Sequence, residues 1–221
     1  MGREQLAVLD SEARSGMQLT HSSALRRPRG FTLIELVVTI ALMAVLFGLA
    51  VPVFGEWIRN ARVRTAADAL QNGVRTAQAE ALRRNRPVVF FLTNSQPAPG
   101  TSISAAANGR NWSVQTIARF DDANPEYIQG GALADVASGV TITGPIALCF
   151  NSNGRLVSNP NDSGPTGTGV TNAICDATDT SFSLRMPAYA DSRALQISVG
   201  LGGQVRMCDP LRSITTSPDG C

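Results

Sequence analysis

A membrane-length apolar run is the feature that most constrains this chain. It extends from Phe31 to Val53 and carries a single charged residue, Glu35, near its start. About 20 consecutive apolar residues span the hydrocarbon core of a bilayer as an α-helix. A carboxylate inside such a helix is costly in lipid, and residues of this kind usually have a functional role. The run therefore predicts a membrane helix in which Glu35 has a function of its own.

The residues that flank the run indicate its orientation. Three arginines within Arg26–Arg29 precede it, and an excess of arginine marks the cytoplasmic side of a membrane helix. We therefore expect a single pass, with the rest of the chain outside. A cleaved secretory signal would have a shorter apolar core and a small-residue cleavage site. The segment Val51–Gly55 at the far end of the run does not provide such a site.

The junction between the arginines and the run carries a family resemblance. Its sequence, Gly30-Phe31-Thr32-Leu33-Ile34-Glu35-Leu36, resembles the class III signal of type IV pilins and type II secretion pseudopilins. The resemblance implies that a prepilin peptidase cuts after Gly30 and methylates the new amino terminus on Phe31. It also implies that Glu35 is the assembly residue, paired with the free ammonium of Phe31 on a neighbouring subunit. A partner charge of this kind makes a buried carboxylate tolerable.

Residues 1–30 are, on this interpretation, a leader that is removed, and either Met1 or Met17 could be its first residue. The formal net charge of the whole chain is +2. That excess lies entirely within residues 1–30, so the remainder of the chain is formally neutral. Bulk charge therefore gives no support to strong nonspecific binding of nucleic acid.

A second helical pattern follows the apolar run. Apolar residues recur at spacings of three and four, which predicts one buried stripe on a helix. Pro87 ends the pattern because the residue before proline disfavours α geometry. We expect one long helix from Phe31 to about Asn85, with Pro52 as a candidate kink. The residues of the stripe are Val63, Ala66, Ala67, Leu70, Val74, Ala77 and Ala81.

Short segments rich in β-forming residues follow the helix, separated by Asn-Gly and Gly-Gly turn signals. They predict an α+β fold in which the long N-terminal helix packs on an antiparallel sheet. The intervening segments Asn94–Arg110 and Ser158–Thr171 predict long, mobile loops. The strand candidates are Pro87–Thr93, Trp112–Ala118, Val140–Thr143, Ile146–Phe150, Ser181–Met186, Leu195–Val199 and Gln204–Met207.

Three segments of the chain resemble the GspH/FimT/FimU branch of the pilin family: Ala79–Val88, at the junction of the helix and the first strand candidate, Asn111–Val114 and Leu195–Cys208. The branch implies a pilin-like fold and a minor subunit of a type IV pilus or a type II secretion pseudopilus, acting in initiation or at the tip. The implied partners are other pilins or pseudopilins, prepilin peptidase, an inner-membrane assembly platform and membrane lipid. The implied location is the inner membrane, with the C-terminal domain periplasmic, and then the filament. The same signals serve secretion and pilus systems.

The resemblance also divides the chain into four parts. These are a cleaved leader at 1–30, a transmembrane half-helix at 31–53, an amphipathic half-helix at 54–86 and a β-rich GspH-like domain at 87–221.

Four cysteines follow the apolar run. An even number of cysteines outside the cytoplasm favours disulfides. Of the three pairings that four cysteines allow, we favour the local one, Cys149–Cys175 with Cys208–Cys221. A metal site is the alternative, but no C-x-x-C motif occurs and the single histidine, His21, lies in the leader. We therefore expect no metal and no cofactor.

The residue types after the leader do not support an enzyme. Without a histidine in that part of the chain, histidine-based general-base or triad chemistry is excluded. No phosphate-binding loop of the G-x-x-x-x-G-K-[ST] type occurs either. We therefore expect a structural subunit.

DNA binding in natural transformation is the alternative function. Some FimT-like minor pilins act in DNA uptake through a C-terminal Gly-Arg-x-Arg motif, and the matching stretch here is Gly203–Arg206, with glutamine in place of the first arginine. The resemblance makes Arg206, Arg212 and Arg193 candidate DNA contacts through phosphate. Because acids outnumber arginines in residues 87–221, we favour a role for these arginines in solubility or ion pairs.

Overall fold

The structure is a computed structural model that describes residues 30–117, 125–159, 161, 168–189 and 192–221, without the side chains of 51–53. The predicted leader, apart from Gly30, lies outside the described residues. The chain divides into two compact units, Met1–Val45 and Leu46–Cys221, and the first is described from Gly30 onward.

One long helix, α1, spans Leu33–Arg84 and is 52 residues long, close to the predicted range. It is assigned as helix through Pro52. The helix ends in a Schellman motif. Asn85 adopts the left-handed conformation with φ of 49°, its N–H donates to the carbonyl of Leu82, and the N–H of Arg86 donates to the carbonyl of Ala81. Pro87 follows and leads directly into the first strand.

The predicted apolar stripe is confirmed. All seven of its residues are buried, and they form part of the main hydrophobic core of the second unit. The small side chains along the stripe, four of them alanine, allow the sheets to approach the helix closely. The second half of α1 is thus held by tertiary packing, which is the usual source of helix stability in proteins.

The described residues contain nine strands and a second, four-residue helix, α2, at Leu133–Val136. In chain order the strands are β1 Val88–Thr93, β2 Asn111–Thr116, β3 Tyr127–Gly131, β4 Thr141–Thr143, β5 Ala147–Phe150, β6 Leu156–Val157, β7 Thr180–Arg185, β8 Leu195–Val199 and β9 Val205–Cys208.

The strands form two antiparallel sheets, where the sequence predicted one. The first has the order β3-β2-β1-β5-β6 and the second has the order β4-β7-β8-β9. Both contribute side chains to the core around α1. Phe90 of the first sheet makes an edge contact with Phe182 of the second, with ring centroids 6.0 Å apart. The α+β class and the packing of the helix on antiparallel strands are confirmed, and the single sheet is wrong.

Strand β1 is the centre of the first sheet and is buried on both faces. Phe90 and Leu92 point into the core that contains α1. Val89 and Phe91 point to a second cluster, which includes Ile103. This explains why β1 reads as a dense apolar run, since a strand covered on both sides has no solvent face to alternate with.

The segment Asn94–Arg110 is packed in part against the first sheet, and its mobility stays a prediction. Ile103 and Ala105 are buried against the outer face of β1. The N–H of Ala106 donates to the carbonyl of Leu92 at 2.8 Å. The other predicted loop, Ser158–Thr171, lies partly outside the described residues.

Two turns meet at the side of α1. The side-chain amide of Gln78 donates to the carbonyl of Gly154, in the turn before β6, at 3.0 Å. The N–H of Leu156 donates to the carbonyl of Leu201, in the turn after β8, also at 3.0 Å. The helix and both sheets are therefore joined at this point by hydrogen bonds as well as by the core.

Candidate assembly site

The predicted assembly residue lies in the first turn of α1. Thr32 precedes the helix, and its hydroxyl oxygen accepts a hydrogen bond from the N–H of Glu35 at 3.2 Å. This is N-cap geometry, in which a threonine oxygen satisfies a free N–H group of the helix start. A glutamate three residues after the cap also suits the positive end of the helix dipole.

Thr32 is a site residue that sequence reasoning missed. The Thr-x-x-Glu spacing from Thr32 to Glu35 is the signature of a capping box and was sufficient to find it. The cap gives Glu35 a defined place: its backbone is fixed by Thr32, and its side chain is exposed. Gly30 and Phe31 precede the helix and are also exposed, with Phe31 84% exposed.

The apolar half of α1 has no packing partner among the described residues. Its large side chains from Phe31 to Leu49 are all exposed. The helix is long and apolar enough to cross a membrane by length and composition. An unpartnered apolar surface of this extent marks a contact with lipid or with another protein.

Both disulfides have the local pairing that the sequence favoured, Cys149–Cys175 and Cys208–Cys221. The first is buried in the cluster behind β1. The second closes the segment that follows β9, which we call the C-terminal loop, residues 208–221. Its Cys221 end is exposed, and its Cys208 end is buried.

The three candidate DNA contacts come together at the C-terminal loop. Arg193 donates to buried Asp209 at 2.6 Å and to Asp219 at 2.8 Å. Arg212 donates to Asp219 at 3.0 Å. Arg206 donates to the carbonyl of Gly220 at 2.9 Å and to that of Pro218 at 3.1 Å.

These contacts give the arginines a structural role in closing the loop. For Arg193 and Arg212 it is the ion-pair role that the sequence favoured, whereas Arg206 donates to backbone carbonyls. The DNA contact stays a prediction. The two aspartates were missed because they pair over 16 and 26 residues with Arg193, and no local pattern marks such a pair.

The same contacts change the acidity of one aspartate. The pKa of Asp219 lies well below its ordinary value because its carboxylate accepts hydrogen bonds, first from the Ser217 hydroxyl and then from Arg193 and Arg212. On α1, hydrogen bonds from Arg83 and Arg84 lower the pKa of Glu80 to about 2. Burial raises the pKa of Tyr127. All three groups belong to the second unit.

Within the described part of the chain, no group of three His, Cys, Asp or Glu side chains is arranged to hold a metal ion. All four cysteines are committed to disulfides.

Comparison with known proteins gives two family matches. Residues 25–51 match the sequence model of the prokaryotic N-terminal methylation motif. Residues 66–203 match that of the type II transport protein GspH. Among curated proteins, none matches the chain significantly.

Solved structures with a similar fold include two minor subunits. The type IV minor pilin FimU of Pseudomonas aeruginosa is 16% identical, with a TM-score of 0.43, covering 67% of this chain and 94% of its own. The minor pseudopilin EpsH of the Vibrio cholerae type 2 secretion system is 9% identical, with a TM-score of 0.44, covering 68% of this chain and 99% of its own.

The GspH match covers more than half of the chain. The match to the methylation motif lies before it and includes the capped start of the apolar helix. The resemblance that the sequence suggested is therefore confirmed. The chain belongs to the GspH family of pilin-like proteins, and it carries the N-terminal methylation motif.

Proposed function

We propose that the chain is a minor pilin or pseudopilin subunit in the initiation or tip complex of a type IV pilus or a type II secretion pseudopilus. The observation that carries the proposal is an exposed apolar helix that begins just after Gly30 and has Glu35 in its first turn. The proposed parts are the leader at 1–30, the transmembrane half-helix at 31–53, the amphipathic half-helix at 54–86 and the GspH-like domain at 87–221.

The proposed processing is cleavage by prepilin peptidase after Gly30 and methylation of Phe31. Both residues are exposed and lie outside the helix, so the peptide bond between them is accessible. Cleavage would leave the amino group of Phe31 close in sequence to the Thr32 cap. A free ammonium at this position is the partner charge that Glu35 of another subunit requires.

The proposed location before assembly is the inner membrane, with the GspH-like domain in the periplasm. The apolar side chains of α1 would first contact lipid and then the helices of other pilins or pseudopilins on an inner-membrane assembly platform. In this apolar environment the Glu35 carboxylate would be paired with the ammonium of Phe31 on a neighbouring subunit, because a paired charge is far less costly there than an isolated one.

Mass spectrometry of the membrane-extracted protein tests the processing. With a working prepilin peptidase, we expect a mature mass that begins at Phe31 and includes one added methyl group. An intact leader in the presence of an active peptidase would contradict the proposal, provided that a known substrate in the same cells is cut.

The pair Glu35→Gln and Glu56→Gln tests assembly. Both changes remove one exposed carboxylate from α1, and glutamine preserves the size of the side chain. We expect Glu35→Gln to be processed normally but to disappear from sheared filaments or from crosslinked pilin complexes, while Glu56→Gln assembles like the wild type. Equal assembly of both variants would contradict the proposed role of Glu35 in subunit assembly.

DNA binding stays a prediction for this chain, and no contact in the described residues favours it over ion pairing. A gel-shift titration over a series of salt concentrations checks it. Binding that weakens steeply with salt and is lost in Arg206→Ala would support it. A circular dichroism spectrum is the control, because Arg206 also holds the C-terminal loop.

A further inference from the structure

A groove of about 340 Å³ lies beside α1, a few residues after the apolar run. One wall is the start of the amphipathic half-helix and the other is the segment that enters β8. The two walls are held together by the N–H of Arg193, which donates to the side-chain oxygen of Asn60 at 2.9 Å. The groove is lined by Trp57, Asn60, Ala61, Arg64, Arg193 and Leu195.

Exposed aromatic and apolar side chains lie in the same part of the chain as the groove. Trp57 is 69% exposed, and Phe54, Ile58 and Tyr189 are exposed as well. The ring of Tyr189 lies under the guanidinium of Arg59, at 4.6 Å from its centroid. Tryptophan and tyrosine concentrate at the membrane–water interface, where an apolar ring with a polar edge is stable.

Positive charge accompanies these aromatic residues. The helix carries three arginines and one glutamate between Phe54 and Arg64. The side chain of Arg64 is 70% exposed, and its contact with Asp68 is long, at 3.9 Å. Arg193 on the opposite wall is held in place by Asp209 and Asp219. Guanidinium groups bind phosphate oxygens well because their N–H donors match the geometry of the anion.

The position of the groove in the chain indicates what covers it. Trp57 follows the last residue of the apolar run, Val53, by four residues. A rise of about 1.5 Å per residue places Trp57 about 6 Å beyond Val53 along the helix axis and Arg64 about 16 Å beyond it. The headgroup layer on each side of a bilayer is about 5–8 Å thick. A membrane that holds the apolar run therefore brings its headgroups to Trp57, at the near end of the groove that Trp57 and Arg64 both line.

We propose that the groove binds the headgroup of an anionic phospholipid, with the phosphate against Arg64 and the glycerol region against Trp57. The inference rests on the proposed membrane anchoring of the apolar helix. A bound headgroup would add a second contact between the membrane and the chain, just beyond the apolar run.

Depth-dependent quenching of Trp57 fluorescence in vesicles tests the inference. The full chain is reconstituted into phosphatidylcholine with an increasing fraction of phosphatidylglycerol, and Trp57→Phe gives the signal that belongs to Trp112. We expect headgroup-labelled quencher lipids to quench Trp57 more strongly as phosphatidylglycerol increases. In Arg64→Gln, about fivefold more phosphatidylglycerol should be needed for the same quenching.

The matched control is Arg155→Gln, which removes the same charge from the turn beside Gln78. That turn is at least 14 residues, or about 21 Å, further along the helix than Arg64. We expect this variant to behave like the wild type, and inorganic phosphate without vesicles should not change Trp57 emission.

Three results would overturn the inference. Quenching that does not depend on the fraction of phosphatidylglycerol would exclude a headgroup site at Arg64. Quenching that falls equally in Arg64→Gln and Arg155→Gln would exclude it as well. Quenching that follows the protein-to-lipid ratio instead assigns the groove to a second copy of the chain. Failure of the chain to float with vesicles at all is a separate outcome, since it would contradict membrane anchoring and, with it, the proposed function.

Discussion

The two halves of α1 share one secondary structure and differ in everything that surrounds it. From Phe31 to Leu49 the large apolar side chains are all exposed, whereas from Val63 to Ala81 a stripe of seven apolar residues is buried. The first half carries one acid. The second carries ion pairs such as Glu80 with Arg83 and Arg84.

The difference shows which contacts the chain supplies for itself. The amphipathic half finds the partner for its buried stripe in the sheets of the same chain. The apolar half has to find its partner in lipid or in other subunits. Mutations of the same residue type in the two halves should therefore have separable effects, on the stability of the second unit in one case and on insertion or assembly in the other.

The pair Leu70→Ala and Leu42→Ala should give the largest contrast. Leu70 is 0% exposed and lies in the core, whereas Leu42 is 60% exposed. We expect Leu70→Ala to lower the free energy of unfolding by about 3 kcal/mol, from lost burial and the cavity left behind. Leu42→Ala should change it by less than about 0.5 kcal/mol. Urea unfolding of the detergent-solubilised chain, followed by Trp112 fluorescence in a Trp57→Phe background, measures both.

The pair Gly73→Ala and Gly48→Ala should give a smaller contrast. A Cβ atom on Gly73 would lie 2.9 Å from the indole of Trp112, while one on Gly48 would have nothing within 4 Å. The same indole also lies close to the backbone of Gly131, where a Cβ atom would lie 2.5 Å from Nε1.

Overpacking costs about 1–3 kcal/mol, and replacing glycine by alanine in a helix returns about 1 kcal/mol. We therefore expect Gly73→Ala to lower the free energy of unfolding by about 1 kcal/mol, whereas Gly48→Ala should not lower it. The same urea titration measures both variants. Equal stability of the two would show that the Trp112 site relaxes without cost.

The ion pairs of the amphipathic half should give the smallest effect, visible as a pH dependence. The pKa of Glu80 falls from 4.5 to about 2 in the folded chain. A lowered pKa stabilises the fold above about pH 4.5, and this stabilisation is lost as the pH falls toward 2.

We expect ion pairs near the surface to contribute about 1 kcal/mol to the free energy of unfolding. Glu80→Gln should therefore be less stable than the wild type at neutral pH and equal to it only below about pH 2. Unfolding titrations over this pH range measure it. Asp68→Asn, which removes an exposed pair at 3.9 Å, is the control and should show little change at any pH.

Much of the fold was predictable because its elements are locally consistent. The stripe on α1 repeats at helical spacing. The central strand β1 consists almost entirely of β-forming residues. The end of the helix was marked by Pro87, and Asn85 supplies the left-handed residue that its Schellman motif requires.

The elements that were missed depend on distant residues. The strand β3 ends in Gly130-Gly131, which reads locally as a turn, but Gly131 is needed where the indole of Trp112 lies against the strand. The division into two sheets has no local signal, because it is decided by which strands pair across α1. The ion pairs of Asp209 and Asp219 join segments far apart in sequence. Among these missed features, only the Thr32 cap could have been predicted from a local sequence pattern.

The short joint between α1 and β1 has a mechanical consequence. Three residues, Asn85 to Pro87, connect the helix to the strand, and their conformation is fixed by the Schellman hydrogen bonds. Strand β1 is in turn hydrogen-bonded to neighbours on both edges. A load along α1 that the packed stripe does not take up therefore reaches the first sheet at its central strand, which is paired on both edges. The domain should therefore resist a force that is applied along α1.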